Sequence, residues 1–467
     1  IQITSRNIEI IYNLVEKLQI DFILGELQKF INYYETLNNT IDDQQEIVDS
    51  NEELFEWLYQ INTLTTKKVK ELIVNSIWIK TEENVMELAS FIIHVLNSSF
   101  QLHQNLADLL IELNKEANNK SNNLSIIIPF IVDKLMNSFA STKFNCSFIY
   151  ILHKKGIIEK EKIIEKISFI LKMNEKTSNL NEQLIIKNTV LWFLPEIIEI
   201  DPSFASKNTY NTLYIYQMNT VDLFDPSLIS EIDLYNKMRD NCEPIDEIAK
   251  AIRHDDINTF QKLISTKLDE LEKCYVTNNM FENYFVRSNT RYINYAAAYG
   301  SIKCFKYLLL NHAKLDELTS IYAIVGGNSE IIRIVDQTPI EDNNEIIDPL
   351  SNYKSFFIGD DEIYLSIIRH QNDLFDWIYE KNYSNESLSE IKLNTFVYLS
   401  VLSGNTRCLI SLVDKGFDFS NNPKCNYHFL QAASRRGFYR MTKLLFILMQ
   451  TKVKFSKLNF LKYINGY

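Results

Sequence analysis

The chain repeats one short pattern six times between residues 250 and 445. In each copy a small residue stands four positions before a turn, and mostly apolar residues follow the turn at plus four, plus five and plus eight. The turns are placed at Asp255, Gly300, Gly327, His370, Gly404 and Gly437. The small residues before them are Ala251, Ala296, Ala323, Ser366, Ser400 and Ala433. This pattern predicts a helix, a tight turn and a second helix, in which the small residue lets the two helices approach closely.

The positions after each turn carry the apolar face of the second helix. Those at plus five are Phe260, Phe305, Ile332, Phe375, Leu409 and Thr442, and those at plus eight are Leu263, Leu308, Val335, Ile378, Leu412 and Leu445. The last two turn-to-turn spacings are 34 and 33 residues, and a unit of that length must stack on its neighbours to bury its face. The chain has only 10 glycines and 8 prolines, which also favours helices. We therefore predict an all-α fold, an α-solenoid of stacked helix pairs.

The domain organisation follows from where this pattern is present. Residues 1–207 have apolar stripes at helical spacing but a weaker repeat, and are predicted to form a helical N-terminal domain, an irregular repeat or a bundle. Residues 208–244 are predicted to be a junction, and residues 245–467 a repeat domain with a C-terminal cap. Two insertions, at about 267–291 and about 337–361, interrupt the repeats. Insertions in a stacked array project as loops, often from the binding edge.

Cysteine usage and hydropathy indicate the compartment. The six cysteines are Cys146, Cys242, Cys274, Cys304, Cys408 and Cys425, without close paired spacing. Cys304 and Cys408 stand four residues after a turn, so they are predicted to be core thiols rather than disulfide partners or ligands, as in a reducing compartment. No apolar run approaches the ~20 residues of a membrane span, and the first residues lack a signal-peptide pattern. We expect a soluble cytoplasmic protein and leave cytoskeletal association open. The chain begins with Ile1, which leaves open whether it is a fragment.

The charge is distributed unevenly. The whole chain carries −12, but no acidic residue follows Asp418, and the last 49 residues carry +9, which leaves −21 on the rest. A globally acidic protein is not expected to bind nucleic acid. The basic C-terminal end is predicted to be the polar cap that a solenoid needs. The alternative is that it docks on an acidic protein surface, such as the acidic insertion of another copy.

One segment resembles a known repeat. Tyr295 to Leu309 has paired alanines, a glycine and two leucines at the offsets of the ankyrin repeat, and Gly327-Asn328 and Gly404-Asn405 repeat its turn. Leu412 to Asp418 resembles the closing leucine, glycine and aspartate of that repeat. Over about residues 245–450 the chain is most similar to divergent ankyrin-repeat proteins of parasitic protists, which carry a helical N-terminal domain of unknown function. The resemblance implies stacked helix pairs and protein binding.

The chain also departs from the ankyrin pattern. The opening Thr-Pro-Leu-His tetrad is missing, and Thr395 keeps only its threonine. Asp255 and His370 replace the turn glycine, and the earlier turns are spaced by 45, 27 and 43 residues. Because that tetrad ties the turn to the helix start, the hairpin loops are expected to be short or irregular.

The sequence contains no motif of a phosphate-binding loop, dinucleotide site, zinc protease or serine hydrolase. Four histidines stand 58 residues apart but at different offsets from their turns, which predicts no metal site: His254, His312, His370 and His428. We therefore predict no catalytic residue, no cofactor and no metal.

Candidate partner-binding residues stand just before the turns. They are Arg253, His254, Tyr299, Arg369, Arg435 and Arg436. The resemblance to ankyrin arrays places such residues on the concave side, and arginine and tyrosine are enriched among binding hot spots. The alternative is that they are solvated helix ends, where cations suit the helix dipole.

The function that we predict is that of a non-catalytic scaffold, which binds a protein partner through an extended solenoid surface. A permanent structural subunit of a large assembly, such as a cytoskeletal or axonemal one, is the alternative. An enzyme is the third class, for which the sequence offers no site.

Overall fold

The computed structural model describes residues 45–61, 65–119, 123–137, 143–174, 189–190, 192–200, 232–241, 246–265, 274–276, 290–338, 361–383, 389–419 and 423–450. Within these ranges the protein is helical except for one short pair of strands, which confirms the predicted all-α class. Cys242, most of both insertions, most of the predicted junction and residues 451–467 lie outside the described residues.

The N-terminal half is built from short helices. They are α1 (Thr66–Val74), α2 (Glu82–Ser98), α3 (His103–Asn119), α4 (Ile127–Asn137), α5 (Lys143–Lys154), α6 (Lys160–Asn174), α7 (Leu194–Ile200) and α8 (Ile232–Asn241). A helical stretch also covers residues 45–59. Thr65 and Thr81 begin α1 and α2, because each hydroxyl accepts a hydrogen bond from the backbone N–H three residues later.

The repeat region continues with paired helices. They are α9 (Glu247–Arg253), α10 (Ile257–Ile264), α11 (Tyr292–Ala298), α12 (Ile302–Leu310), α13 (Glu317–Gly326), α14 (Ser329–Gln337), α15 (Asp361–Ile368), α16 (Asn372–Tyr383), α17 (Glu390–Ser403), α18 (Thr406–Asp414), α19 (Pro423–Arg436) and α20 (Tyr439–Gln450). Strands β1 (Tyr275–Val276) and β2 (Thr290–Arg291) lie between α10 and α11 and pair antiparallel.

Contacts along the chain divide it into two compact units. One unit is Trp57–Ser387, which contains α1 to α16. The other combines Ile1–Glu56 with Leu388–Tyr467 and contains α17 to α20. The unit Trp57–Ser387 thus includes helices from both sides of the predicted junction at residues 208–244.

The six predicted turns all have the left-handed backbone that ends a helix. Their φ values lie between 51° and 80°, including those of Asp255 and His370, where glycine is replaced. At five turns the next N–H donates to the carbonyl of the small residue, as Ser301 does to Ala296 at 2.9 Å. Gly327 instead uses its own N–H, which donates to Ala323 at 3.0 Å. Both arrangements satisfy helix carbonyls that would otherwise lack a partner, so the predicted hairpins are confirmed.

Burial follows the repeat pattern. All six small residues before the turns are buried, which permits the close approach of paired helices. At plus eight, five of the six predicted residues are buried, but Leu263 is 36% exposed. That prediction was wrong because Ile264, one position later, is fully buried in its place.

Helix pairs contact one another in chain order. In the first unit α9 packs on α11, α11 on α13 and α13 on α15, while the second helices of the pairs pack α10 on α12 and α12 on α14. In the second unit α17 packs on α18 and α19, and α19 on α20. The N-terminal helices pack α1 on α3, α3 on α5, and α2 on α4 and α5.

Asp255 links one pair to the next. Its carboxylate accepts hydrogen bonds from the backbone N–H groups of Lys303 and Cys304, at 3.0 and 2.9 Å, in the first turn of α12. Ser301, the residue that begins α12, makes no side-chain cap of its own. A negative charge at a helix N-terminus is favourable. The Asp255 side chain therefore caps α12, which a glycine at this turn could not do.

We expect Asp255→Ala to lower the free energy of unfolding by about 1–2 kcal/mol, since it removes the cap of α12 and puts alanine at a positive φ. Asp255→Asn should have a smaller effect, because asparagine tolerates this backbone and keeps an acceptor oxygen. Urea unfolding followed by circular dichroism measures both. Equal loss in the two variants would contradict the capping role.

Gly326 marks a close contact between two pairs. A Cβ atom added there would lie 2.0 Å from the carbonyl oxygen of Ala297 and 2.9 Å from the nitrogen of Gly300. Both atoms belong to backbone, which cannot rotate away. The absence of a side chain is therefore what allows α13 to reach α11.

A buried ion pair joins α7 and α8. The guanidinium of Arg239, which is 2% exposed, donates to both carboxylate oxygens of Glu196 at 2.6 and 2.8 Å and to the carbonyl of Trp192 at 2.8 Å. It also lies 4.0 Å from the ring centroid of Tyr150 in α5. Burial disfavours the Arg239 cation, but the hydrogen bonds and charge of Glu196 raise its pKa above the ordinary value. The pair thus binds three helices together.

Candidate interaction surfaces

Two of the predicted residues meet at the ends of neighbouring helices. The Nη2 of Arg253 donates to the hydroxyl of Tyr299 at 2.7 Å, and its guanidinium lies 4.7 Å from the centroid of that ring. The ring in turn contacts Tyr295, with centroids 4.7 Å apart. The side chains of Arg253 and Tyr299 are half-buried, and His254, next to Arg253, is exposed. The ends of α9 and α11 therefore present an ordered cation and aromatic ring.

Arg369 occupies a different environment, at the end of α15. Its guanidinium donates to the carbonyl of Ser98 at the end of α2, and the Nε2–H of His94 donates to the carbonyl of Ile368 at 2.8 Å. Burial lowers the pKa of Arg369, and the neighbouring Tyr59 partly opposes this shift. Arg369 therefore joins the repeats to the N-terminal helices, and the partner contact predicted for it stays a prediction.

Arg435 and Arg436 are exposed in the last turn of α19. Large aromatic side chains are also exposed on this helix and the next: Tyr427 on α19 is 65% exposed, and Tyr439 and Phe446 on α20 are 58% and 51% exposed. Lys443, one helical turn after Tyr439, is also exposed. This hairpin thus combines cations and aromatic rings in solvent.

A small groove lies among α13, α14, α15 and α16. Its volume is about 280 Å³, just under the ~300–1,000 Å³ typical of ligand sites. Ile324, Val335 and Ile378 contribute apolar surface, and Trp377 at its edge is 42% exposed. An ion pair between Asp336 and Lys381 joins α14 to α16 beside it.

A serine and a histidine are hydrogen-bonded in the N-terminal half. The hydroxyl of Ser147 lies 2.8 Å from Nδ1 of His103, whose Nε2 lies 2.9 Å from the carbonyl of Leu96 and donates to it. A Ser–His pair can activate a nucleophile, but both residues are buried. Burial lowers the pKa of His103 to about 4, so the ring is neutral at pH 7. The pair connects the end of α2 with α3 and α5.

Cys304 and Cys408, which were predicted to be core thiols, are buried, and no disulfide joins the cysteines that the structure describes. Burial, with the nearby Asp255 carboxylate, raises the pKa of the Cys304 thiol to about 12. In the described part of the chain no cluster of His, Cys, Asp or Glu could hold a metal ion. Among the same residues, no helix is both long and apolar enough to cross a bilayer.

The sequence pattern did not identify several features. Three aromatic residues of the last hairpin are exposed: Tyr427, Tyr439 and Phe446. They stand outside the positions that the repeat pattern predicts to be buried, and this could have identified them as exposed. Trp377 could have been found in the same way. The ion pair of Glu196 with Arg239 leaves no signal in the sequence, since 43 residues separate the partners.

No protein-family model, curated protein or solved structure matches this chain.

Proposed function

We propose that this chain is a non-catalytic scaffold that binds a protein partner. In this proposal it is a divergent ankyrin-type protein whose helix pairs stack as an α-solenoid, preceded by an irregular helical region. The observation that supports the proposal is the serial packing of α9 on α11, α11 on α13 and α13 on α15.

Hairpin ends that are already ordered favour partner binding. Hairpin ends fixed by backbone hydrogen bonds and by Asp255 lose little conformational entropy when a partner binds. The Arg253–Tyr299 contact holds two side chains of hot-spot type in one conformation before binding. These properties support a recognition surface at the ends of the first helices of the pairs.

A photo-cross-linking amino acid placed at His254 in the full chain tests this proposal. His254 lies at the exposed end of α9, and Lys262, exposed on α10 of the same pair, is the matched control position. In cell extract we expect discrete adducts from position 254 and none from position 262, identified by mass spectrometry.

Equal adducts from both positions, or none from position 254, would overturn the proposed surface. Recovery of the position-254 adduct only in a pelleted assembly at physiological salt would favour the structural-subunit alternative over a transient scaffold.

A further inference from the structure

The last hairpin of the repeat region exposes large aromatic rings and cations. We define the cationic–aromatic face as Arg435, Arg436, Tyr439, Lys443 and Phe446. Tyr439, Lys443 and Phe446 are spaced by four and three residues, so they share one side of α20. Arg435 and Arg436 directly precede the turn that leads into this helix. Two large rings that are more than half exposed on one side of a helix are typical of an interaction site.

The charges of this hairpin differ from those of the other pairs. In other pairs some exposed lysines have acidic partners, as Lys306 has in Glu330 at 2.6 Å and Lys250 has in Glu247 at 2.7 Å. Neither α19 nor α20 contains Asp or Glu, so Arg435 and Arg436 have no acidic partner within the hairpin. The formal charges of these two helices are therefore all positive.

The helix dipole favours Arg435 and Arg436 in the last turn of α19. It does not account for the exposed rings of Tyr439 and Phe446, which a polar cap would not need.

We propose that the cationic–aromatic face docks an acidic protein segment that carries apolar side chains. Carboxylates would pair with the guanidinium groups of Arg435 and Arg436, and an apolar side chain would pack between Tyr439 and Phe446. The chain as a whole carries −12, which repels a long polyanion such as a nucleic acid more than a short acidic peptide. The proposal deepens the scaffold function by naming the chemistry of a partner.

Fluorescence anisotropy of the full chain with a short labelled peptide, rich in glutamate and with leucine at helical spacing, tests the proposal. Arg435→Glu with Arg436→Glu should weaken binding at least about tenfold, and so should raising the salt concentration, because the charges are exposed. Tyr439→Ala with Phe446→Ala should weaken it comparably without changing the salt dependence. Lysine at positions 435 and 436 should retain most of the affinity.

The matched control is Lys67→Glu with Lys68→Glu, which reverses two exposed charges on α1 and should leave binding unchanged. The same peptide with glutamine for glutamate should bind at least about tenfold more weakly. The idea is wrong if reversal of the arginines leaves the affinity intact in a chain with an unchanged unfolding midpoint. It is also wrong if single-stranded RNA or anionic lipid vesicles bind more tightly than the peptide. Because the assay uses no extract, its failure leaves cross-linking at His254 as a separate test of the proposed function.

Discussion

Glu196→Ala is expected to lower the free energy of unfolding by about 3–5 kcal/mol, because it leaves the buried Arg239 cation without its carboxylate. The guanidinium is too enclosed to recover this energy from water, and its contacts with Trp192 and Tyr150 do not neutralise its charge. Chemical unfolding monitored by circular dichroism measures the loss.

Two further variants make this expectation specific. Glu199→Ala on the same helix removes the exposed pair with Lys160 and should change the unfolding midpoint little. Glu196→Leu combined with Arg239→Met should recover much of the stability, since a packed apolar pair removes the buried charge altogether. A Glu196→Ala chain as stable as the Glu199→Ala chain would show that the buried pair is not formed.

Gly326→Ala is expected to be the most damaging change of a single small residue in the repeats. The added methyl group would overlap the carbonyl of Ala297, so α11 and α13 must separate, at about 3 kcal/mol, the upper end of overpacking. Gly156→Ala is the control: Gly156 has a φ of 73° but nothing within 4 Å of an added Cβ. Alanine there should cost only about 1 kcal/mol of backbone strain. Similar losses in the two variants would mean that the helices do not approach so closely.

The local features of this fold could be predicted from the sequence, because a hairpin is specified by residues within a dozen positions of each other. The small residue, the turn and the apolar positions that follow identified the places where the backbone becomes left-handed, even at Asp255 and His370. The all-α class follows from the same local pattern.

Contacts between distant segments could not be predicted in this way. Arg369 stands at the same position before its turn as other predicted partner contacts, yet it bonds to Ser98, which is 271 residues away. Nothing near Gly326 in the sequence shows that the backbone of α11 lies against it. Of the candidate site, Arg435 and Arg436 are exposed, which fits both a partner contact and a solvated helix end, whereas the meeting of Arg253 with Tyr299 depends on how pairs stack.

The contact of Arg369 with Ser98, beside that of His94 with Ile368, has a practical consequence for dissecting the protein. A truncated chain that starts near residue 245 would keep every hairpin but would uncover the end of α15 and remove the partners of Arg369 and of the Ile368 carbonyl. Such a fragment would expose a surface that the intact chain conceals. Proteins that bind this uncovered surface would be artefacts of the truncation. Partner binding is therefore best studied with both halves of the polypeptide present.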